Sequence, residues 1–372
     1  MRIAIQAADL DNSRIDGTRV YLWNILKHFG KISKKDDFFI YHKDNFNKEL
    51  KPAKFPNYYR RKVRSPFIWT QSKFAWSVWR DGADVLWMPM HNIPIIRSKK
   101  LKTIITIHDL AFKKFPGTFP KKNLVKLNFL TDLAIKKSNK IIAVSKSTKK
   151  DILKFYPNIS ENKIKIIYHG FDANLFRKNF PEEKTEKTLS QFKIRKNHYL
   201  LYVGAIQPRK NIKVLIEAFN IYKKKHNTSI KLVLAGEKAW NWKEVISSIE
   251  NSAFRKDIVL TGLLSFKQIA IIYKNASLFV FPSLYEGFGI PLLEAFASEI
   301  PVISAKNSSL VEIGDDAVEF FNDSNPIELS EKIRNILKNN RYKQEMIKRG
   351  LKRLQKFSWE KCAQETLAYL KD

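Results

Sequence analysis

Two carboxylates, Glu286 and Glu294, stand eight positions apart in residues 281–296, whose sequence is FPSLYEGFGIPLLEAF. The glycines between them predict a tight loop, and Pro291 favours the first turn of a helix that contains Glu294. A helix N-terminus fed by a glycine loop offers free N–H groups that suit a phosphate. One carboxylate could then accept hydrogen bonds from sugar hydroxyls and the other from a ribose. The spacing alone fits equally well a structural role, in which Glu294 complements the helix dipole and Glu286 is solvated.

Arg209 and Lys210 lie between a predicted strand ending at Gly204 and a predicted helix beginning near Asn211, its expected N-cap. Cations directly before a helix N-terminus oppose the helix dipole unless an anion lies there. A diphosphate would remove this conflict, since Arg209 can bind two oxygens and Lys210 supplies a point charge. The alternative is two solvated bases in a chain whose net charge is +32.

The glutamate pair resembles the Glu-x7-Glu donor-site motif of retaining glycosyltransferases of family 4, which have the GT-B fold. Further matches follow the order usual in that family and cover essentially the whole chain. They are Thr106-Ile-His-Asp109, Ala143-Val-Ser145, Tyr168-His-Gly170, Leu201-Tyr-Val-Gly204, Gln207-Pro-Arg-Lys-Asn211, Leu232-Val-Leu-Ala-Gly236, Thr261-Gly262, Pro301-Val-Ile303 and Val311-Glu312. One departure is Ser298-Glu299, where the family usually has a small or glycine pair.

The resemblance implies a role for each matching residue. Arg209 and Lys210 would hold the donor diphosphate and stabilise negative charge as the glycosyl bond breaks. His108 would contact the transferred sugar and help to hold the acceptor. The expected catalytic residues are His108, Glu286, Arg209 and Lys210; the expected donor-binding residues are Gly17, Arg209, Lys210, Glu286 (sugar hydroxyls), Phe288, Gly289, Ile290 and Glu294 (ribose).

No cofactor is expected, because the nucleotide diphosphate sugar is itself the substrate. No metal is expected either, because Arg209, Lys210 and a helix terminus would meet the phosphate charge. Asp9-Leu-Asp11 has the spacing of a metal-binding carboxylate pair, but it directly follows the first predicted strand of a fold that does not use such a pair. His91 is a weaker candidate for acceptor contact, and His169 is expected to be structural.

Strand-like and helical segments alternate along the chain, which predicts parallel sheets covered on both faces. The strands predicted in the first half are Ile3–Ile5, Phe38–Tyr41, Val85–Trp87, Thr103–Ile107, Lys140–Val144 and Ile164–Ile167, and the helices lie near 18–29, 122–137 and 146–155. The strands predicted in the second half are Tyr199–Val203, Ile230–Ala235, Ile258–Leu260, Leu278–Phe281 and Val302–Ile303.

At 372 residues the chain is too long for one ordinary core. We expect an α/β protein with the GT-B fold, in which two Rossmann-like, doubly wound domains face an interdomain cleft. The predicted parts are an acceptor-side domain (1–175), a linker (176–197), a nucleotide-sugar domain (198–355) and a terminal helix (356–372) that crosses back to the first domain. Ser358 is the expected N-cap of that helix.

The single cysteine, Cys362, excludes an internal disulfide framework and favours the cytoplasm. No apolar run is long enough for a transmembrane helix. No zinc-ligand spacing or recognition-helix pattern accompanies the positive charge, so nucleic acid is not an expected partner. Biased base composition could also produce the excess of lysine.

Residues 41–80 contain ten Lys or Arg, two acidic and ten aromatic residues. A helix is predicted over 66–80, with most of Phe67, Trp69, Phe74, Trp76 and Trp79 facing the core. The neighbouring basic runs lead to the hypothesis of peripheral attachment to an anionic membrane surface on its inner face, against the alternative of a fully soluble protein.

The predicted reaction is transfer of a hexose from a nucleotide diphosphate sugar to a hydroxyl of a glycan or lipid-linked acceptor, with retention of configuration, in cell-surface polysaccharide or glycolipid synthesis. Two other classes stay open. A GT-B nucleotide-sugar epimerase would change the donor without an acceptor, and a non-catalytic nucleotide-sugar or membrane-binding module would bind without turnover.

Overall fold

The computed structural model describes residues 1–65 and 68–372. The chain forms two compact units. The first unit comprises Met1–Pro116, Lys121–Gly170 and Phe357–Asp372, and the second comprises Gly117–Pro120 and Phe171–Lys356. Each unit is built on its own parallel sheet.

The first unit contains a seven-stranded parallel sheet with the order β3-β2-β1-β4-β5-β6-β7. Its strands are β1 (Arg2–Gln6), β2 (Asp37–His42), β3 (Tyr58–Lys62), β4 (Val85–Met88), β5 (Lys102–Ile107), β6 (Lys140–Ala143) and β7 (Ile164–Ile166). Its first helices are α1 (Gly17–Ile32), α2 (Lys73–Arg80), α3 (Ala111–Lys114), α4 (Lys121–Lys137) and α5 (Lys146–Phe155).

Helices cover both faces of this sheet. On one face Phe38 packs against Phe29 of α1, with ring centroids 5.3 Å apart. On the other face the hydroxyl of Tyr41 donates to Asp81 at the end of α2, at 2.9 Å. The inner strands are therefore continuous apolar runs, and the predictions for them are confirmed. The edge strand β3 was not predicted, because its sequence YYRRK contains no apolar run and most of its residues are at least partly exposed to solvent.

The second unit contains a six-stranded parallel sheet with the order β10-β9-β8-β11-β12-β13. Its helices are α6 (Ala173–Phe176), α7 (Glu182–Gln191), α8 (Ile212–His226), α9 (Lys243–Glu250), α10 (Phe266–Lys274), α11 (Ile290–Ala297), α12 (Ser308–Gly314), α13 (Pro326–Lys338) and α14 (Asn340–Leu354). Its strands are β8 (Tyr199–Val203), β9 (Lys231–Ala235), β10 (Ile258–Gly262), β11 (Leu278–Phe281), β12 (Val302–Ala305) and β13 (Glu319–Phe321).

The polar segment 176–197 differs from the expected linker. It forms α7, whose Thr185, Thr188 and Leu189 are buried, and it belongs to the second unit. The charged residues of this segment lie on the outer face of a short amphipathic helix. The high density of charged residues therefore led to the prediction of a linker, although the segment contains a helix that packs on the second unit.

The last helix, α15 (Trp359–Lys371), belongs to the first unit and packs on α1. Ser358 caps it, as predicted, by accepting a hydrogen bond from the Lys361 amide at 3.1 Å. The approach is close: a Cβ added to Gly170 would lie 2.1 Å from the Trp359 nitrogen. Near the end of α15, Lys371 forms an ion pair of 2.7 Å with buried Asp36.

The predicted helix over 66–80 is shorter than expected. A 3₁₀ turn at Trp69–Gln71 precedes α2, while Pro66 and Phe67 lie outside the described residues. Phe74 is buried, but Trp76 and Trp79 are 55% and 68% exposed. The expectation that most of these aromatic residues face the core is therefore wrong for this pair. Within the described ranges, no helix combines the length and apolarity needed to cross a membrane.

Candidate active site

The carboxyl ends of β8 and β11 lie side by side in the second unit, because these strands pair directly in parallel. Ligands of such sheets bind at this edge. The loop after β8 carries Arg209 and Lys210, and the loop after β11 carries Glu286. The Leu284 amide donates to the Arg209 carbonyl at 3.0 Å, which ties the two loops together. Residues distant in sequence are thus held in one cluster.

Glu286 forms ion pairs with both cations of this cluster. Its carboxylate accepts a short hydrogen bond from Lys210 and lies 3.7 Å from the Arg209 guanidinium. Arg209 also donates to the Tyr285 carbonyl. Burial would raise the pKa of Glu286, but the charges of Lys210 and Arg209 outweigh it and hold that pKa below its usual value. The three side chains form a nearly buried, charged group with net charge +1.

Glu294 lies inside α11 and is half-buried. Burial raises the pKa of Glu294 to about 7; a hydrogen bond from Tyr273 opposes this shift, and the charge of Asp172 adds to it. The pKa of Glu286 is lowered by two cations, whereas no cation lowers the pKa of Glu294. The two glutamates of the motif therefore have opposite electrostatic surroundings.

The first turn of α11 follows the loop as predicted, with Pro291 in that turn and Gly289 as the N-cap. Gly289 has φ 105°, a left-handed conformation that disfavours any side chain, and an added Cβ would lie 3.0 Å from Leu310. Phe288 is buried, and Ile290 begins the helix. Backbone amides therefore start α11 beside the charged cluster.

Serines that the sequence did not single out hold this loop in place. Ser308 accepts a hydrogen bond from the Glu286 amide at 3.0 Å. Ser309 donates to the carbonyls of Glu286 and Phe288, at 2.9 and 2.8 Å. Both serines begin α12, next to the Val311-Glu312 match, but nothing in their type or spacing distinguishes them from the other serines of the sequence.

Asn211 occupies the N-cap position of α8, but it does not cap the helix with its side chain. It has φ 54°, and its amide donates to the Asp323 carbonyl at 2.7 Å. The predicted capping bond is thus replaced by a link to the loop after β13, and Asn307 reaches the Asp323 carboxylate there at 2.7 Å.

In the first unit, His108 follows β5 at the carboxyl edge of the sheet. Its Nε2 lies 2.9 Å from the Pro89 carbonyl, and since a carbonyl only accepts, Nε2 carries the proton of the neutral ring. Tyr21 and His169 pack against this ring, with centroids 5.0 and 5.4 Å away. Burial, with a smaller contribution from the charge of His91, lowers the pKa of His108 to about 4. His108 is therefore uncharged at neutral pH.

His169 is buried among aromatic rings, and burial lowers its pKa as well. The structural role of His169 stays a prediction. His91 Nδ1 lies 3.4 Å from the Thr131 hydroxyl, and burial lowers the pKa of His91 too.

Gly17 is the first residue of α1, directly after the N-cap Asp16. Asp9 and Asp11, which have the spacing of a metal-binding carboxylate pair, interact with different partners. Asp11 accepts from the amides of Lys43 and Asp44 at 2.8 and 2.7 Å, whereas Asp9 lies 3.9 Å from Arg19. In the part of the chain that the structure describes, no three His, Cys, Asp or Glu side chains are grouped as metal ligands.

Two family models match the chain, one in each half. Residues 16–175 match Glycosyltransferase Family 4, and residues 184–353 match Glycosyl transferases group 1. Together the two matches account for nearly the whole sequence. The chain belongs to the GT-B glycosyltransferases of the family 4 type.

Curated relatives agree with this assignment. The chain is 25% identical over 294 residues to O-antigen chain mannosyltransferase B of Escherichia coli, covering 79% of this chain and 75% of the relative. It is 30% identical over 215 residues to O-antigen chain mannosyltransferase RfbU of Salmonella typhimurium, covering 57% and 53%. The match to RfbU thus spans about half of that protein.

Among solved structures, that of Anabaena HepE in complex with UDP and glucose has a TM-score of 0.78. The alignment covers both chains completely at 16% sequence identity. This similarity establishes the GT-B fold. The enzyme class of this glycosyltransferase follows from the family matches, whereas the roles of its individual residues stay predictions.

Proposed function

We propose that this glycosyltransferase transfers a hexose from a nucleotide diphosphate sugar to an acceptor hydroxyl, with retention of anomeric configuration. The observation that carries the proposal is the cluster of Arg209, Lys210 and Glu286 at the carboxyl ends of β8 and β11. Two cations and one carboxylate beside the start of a helix suit a ligand that presents both phosphates and hydroxyls.

The donor diphosphate would replace part of the interaction that Glu286 makes with the two cations. Arg209 and Lys210 would then stabilise the charge that develops on the leaving diphosphate. The amides near Phe288, Gly289 and Ile290 would add hydrogen-bond donors. Freed from one cation, Glu286 would accept hydrogen bonds from the donor sugar, and Glu294 would bind the ribose hydroxyls.

We further propose that neither a metal ion nor a cofactor takes part. The charge of a diphosphate can be met by two side-chain cations and a helix N-terminus, all of which the second unit brings to one sheet edge. Retention rests on the resemblance to family 4. There the leaving phosphate takes the acceptor proton on the same face of the sugar, so that the protein mainly positions the reactants.

In the first unit, His108 would assist with the transferred sugar and the acceptor as a neutral hydrogen-bonding group. Its low pKa and its donation to the Pro89 carbonyl leave Nδ1 as an acceptor rather than a charged acid. Gly17, at the start of α1, would allow close approach of the diphosphate. The proposed acceptor is a glycan or a lipid-linked glycan, in line with the O-antigen enzymes among the relatives.

A screen of nucleotide sugars by thermal shift would test the donor class, because a ligand that binds only the folded protein raises its melting temperature. The best donor is then incubated with the enzyme and lipid-linked glycan acceptors, and release of nucleoside diphosphate is measured. We expect stabilisation by at least one nucleotide sugar and release that depends on an acceptor. Stabilisation by none would contradict the donor proposal.

The same experiment separates the two alternatives. An epimerase would convert the donor into a different nucleotide sugar without an acceptor, which nuclear magnetic resonance of the donor detects. A binding module would give stabilisation without either product. The ion-paired Arg209–Lys210–Glu286 cluster favours transfer, since leaving-group charge is what it could stabilise.

A further inference from the structure

The exposed tryptophans of α2 belong to a continuous aromatic and basic surface on the first unit. Trp76 and Trp79 lie one turn apart on α2, and the Arg80 guanidinium stacks over the Trp76 ring at 4.8 Å. Arg80 in turn lies 3.2 Å from Asp81. The last turn of α2 thus presents two large rings and a cation together.

The same surface continues onto the edge strand β3. Arg61 lies 3.0 Å from the other carboxylate oxygen of Asp81, and its guanidinium is 6.0 Å from the ring centroid of Tyr59. Tyr59 is exposed and stacks on Phe39 at 5.0 Å. Asp81 itself is almost buried, so it holds the two arginines in place and presents little negative charge to solvent.

At the other end of α2 the surface reaches a loop after β4. The Gln71 side chain accepts from the Ile95 amide at 2.6 Å and donates to the Ile93 carbonyl at 2.9 Å. This pair of bonds fixes the loop that carries Ile95 and Ile96, both exposed. Exposed Lys73 begins α2, and in sequence it stands between Gln71 and the tryptophans.

We propose that this surface, which consists of Tyr59, Arg61, Lys73, Trp76, Trp79, Arg80, Ile95 and Ile96, docks on an anionic lipid bilayer. Exposed apolar side chains at this density mark an interaction site. Trp and Tyr rings favour the interface between lipid and water. The partner is anionic because every exposed charge on the surface is positive and its one carboxylate is engaged.

The surface contributes in two physically different ways. Lys73, Arg61 and Arg80 provide an attraction that salt screens. The tryptophans and isoleucines provide burial of apolar area, which salt does not screen. A purely electrostatic attachment through scattered lysines would lack the second contribution, so salt dependence distinguishes the two.

Co-sedimentation with vesicles of phosphatidylcholine, with or without phosphatidylglycerol, tests the proposal on the full chain. We expect binding to the anionic vesicles, weaker binding at high salt, and a blue shift of tryptophan emission. Trp76→Ala and Trp79→Ala should each lower the partition coefficient about tenfold and leave its salt dependence unchanged. Lys73→Gln/Arg80→Gln should lower both affinity and salt dependence.

Matched controls lie on the second unit. Ile327→Ser removes an apolar side chain from a residue that is 59% exposed, and Arg341→Gln removes an exposed cation. Neither should change vesicle binding. Melting temperatures and donor-induced stabilisation should be the same in all variants, which separates this proposal from the proposed reaction.

Three outcomes would overturn the proposal. The first is equal binding of wild-type protein and both tryptophan variants to anionic vesicles, which would assign attachment to charge alone. The second is no binding to either type of vesicle at low salt. The third is a concentration-dependent dimer that Trp79→Ala abolishes without any effect of lipid, since the surface would then be occupied by a second copy of the chain.

Discussion

Replacing Glu286 by glutamine should make the enzyme bind bare nucleoside diphosphate more tightly. In the structure this carboxylate forms ion pairs with both Lys210 and Arg209. At such distances a unit charge pair is worth about 4 kcal/mol at an effective dielectric constant of about 20. A bare diphosphate must compete with this interaction and is also repelled by the carboxylate itself. The amide of glutamine carries no charge, so both penalties fall.

Most of the gross attraction is offset by the solvation of the separated groups, so we expect a gain of about tenfold in affinity, or about 1.4 kcal/mol. A nucleotide sugar should gain less or lose affinity. Its hydroxyls lose a charge-assisted hydrogen bond, which is worth about 1.5–3 kcal/mol. The preference for nucleotide sugar over bare diphosphate should therefore decrease in Glu286→Gln.

Isothermal titration with the stabilising nucleotide sugar and its nucleoside diphosphate measures both affinities. Glu299→Gln is the matched control, because Glu299 forms an ion pair of 3.0 Å with Lys274 and does not belong to the charged cluster. It should leave both affinities unchanged. If folded Glu286→Gln bound the bare diphosphate as weakly as wild-type protein, or more weakly, the competition between Glu286 and the donor phosphates would be refuted.

Three further predictions concern the same site. Glu294→Ala should raise the dissociation constant of the donor roughly ten- to hundredfold, because a charge-assisted bond to hydroxyls is lost; unchanged affinity in titration would remove Glu294 from the site. Turnover should persist in excess EDTA, and a loss that Mg²⁺ or Mn²⁺ restores would contradict metal-independent chemistry. Glu294→Gln should stabilise the free protein at pH 8 but hardly at pH 5 in thermal unfolding. Burial raises the pKa of Glu294 in the folded protein to about 7, so folding favours its protonated carboxyl. The stability that wild-type protein gains from this proton is present at low pH and is lost as the pH rises through that value. An equal effect at both pH values would show that Glu294 titrates normally.

The sequence predicted the elements of the site better than their surroundings. The inner strands and the glycine loop are local features, so hydrophobic runs and the position of Pro291 were enough to predict them. The adjacency of Arg209, Lys210 and Glu286 follows from pairing of β8 with β11, for which the family resemblance supplied the order.

Other features depend on tertiary contacts that no local pattern encodes. The exposure of Trp76 and Trp79 was not predicted. Helical periodicity shows which residues share a face of the helix, but it does not show whether another element packs against that face. The bonds of Asn211 to Asp323 and of Ser308 and Ser309 to the glutamate loop join segments far apart in sequence. The raised pKa of Glu294 likewise depends on burial beside Asp172, which lies far away along the chain.

Turnover of the nucleotide sugar by Lys210→Ala tests the central claim most directly. Lys210 contacts Glu286 in the structure and is proposed to stabilise the leaving diphosphate. Removal of such a group should slow acceptor-dependent release of nucleoside diphosphate about a hundredfold or more. The melting temperature of the free variant should show that it remains folded. Wild-type rates from a folded Lys210→Ala would contradict the assignment of this cluster as the donor site.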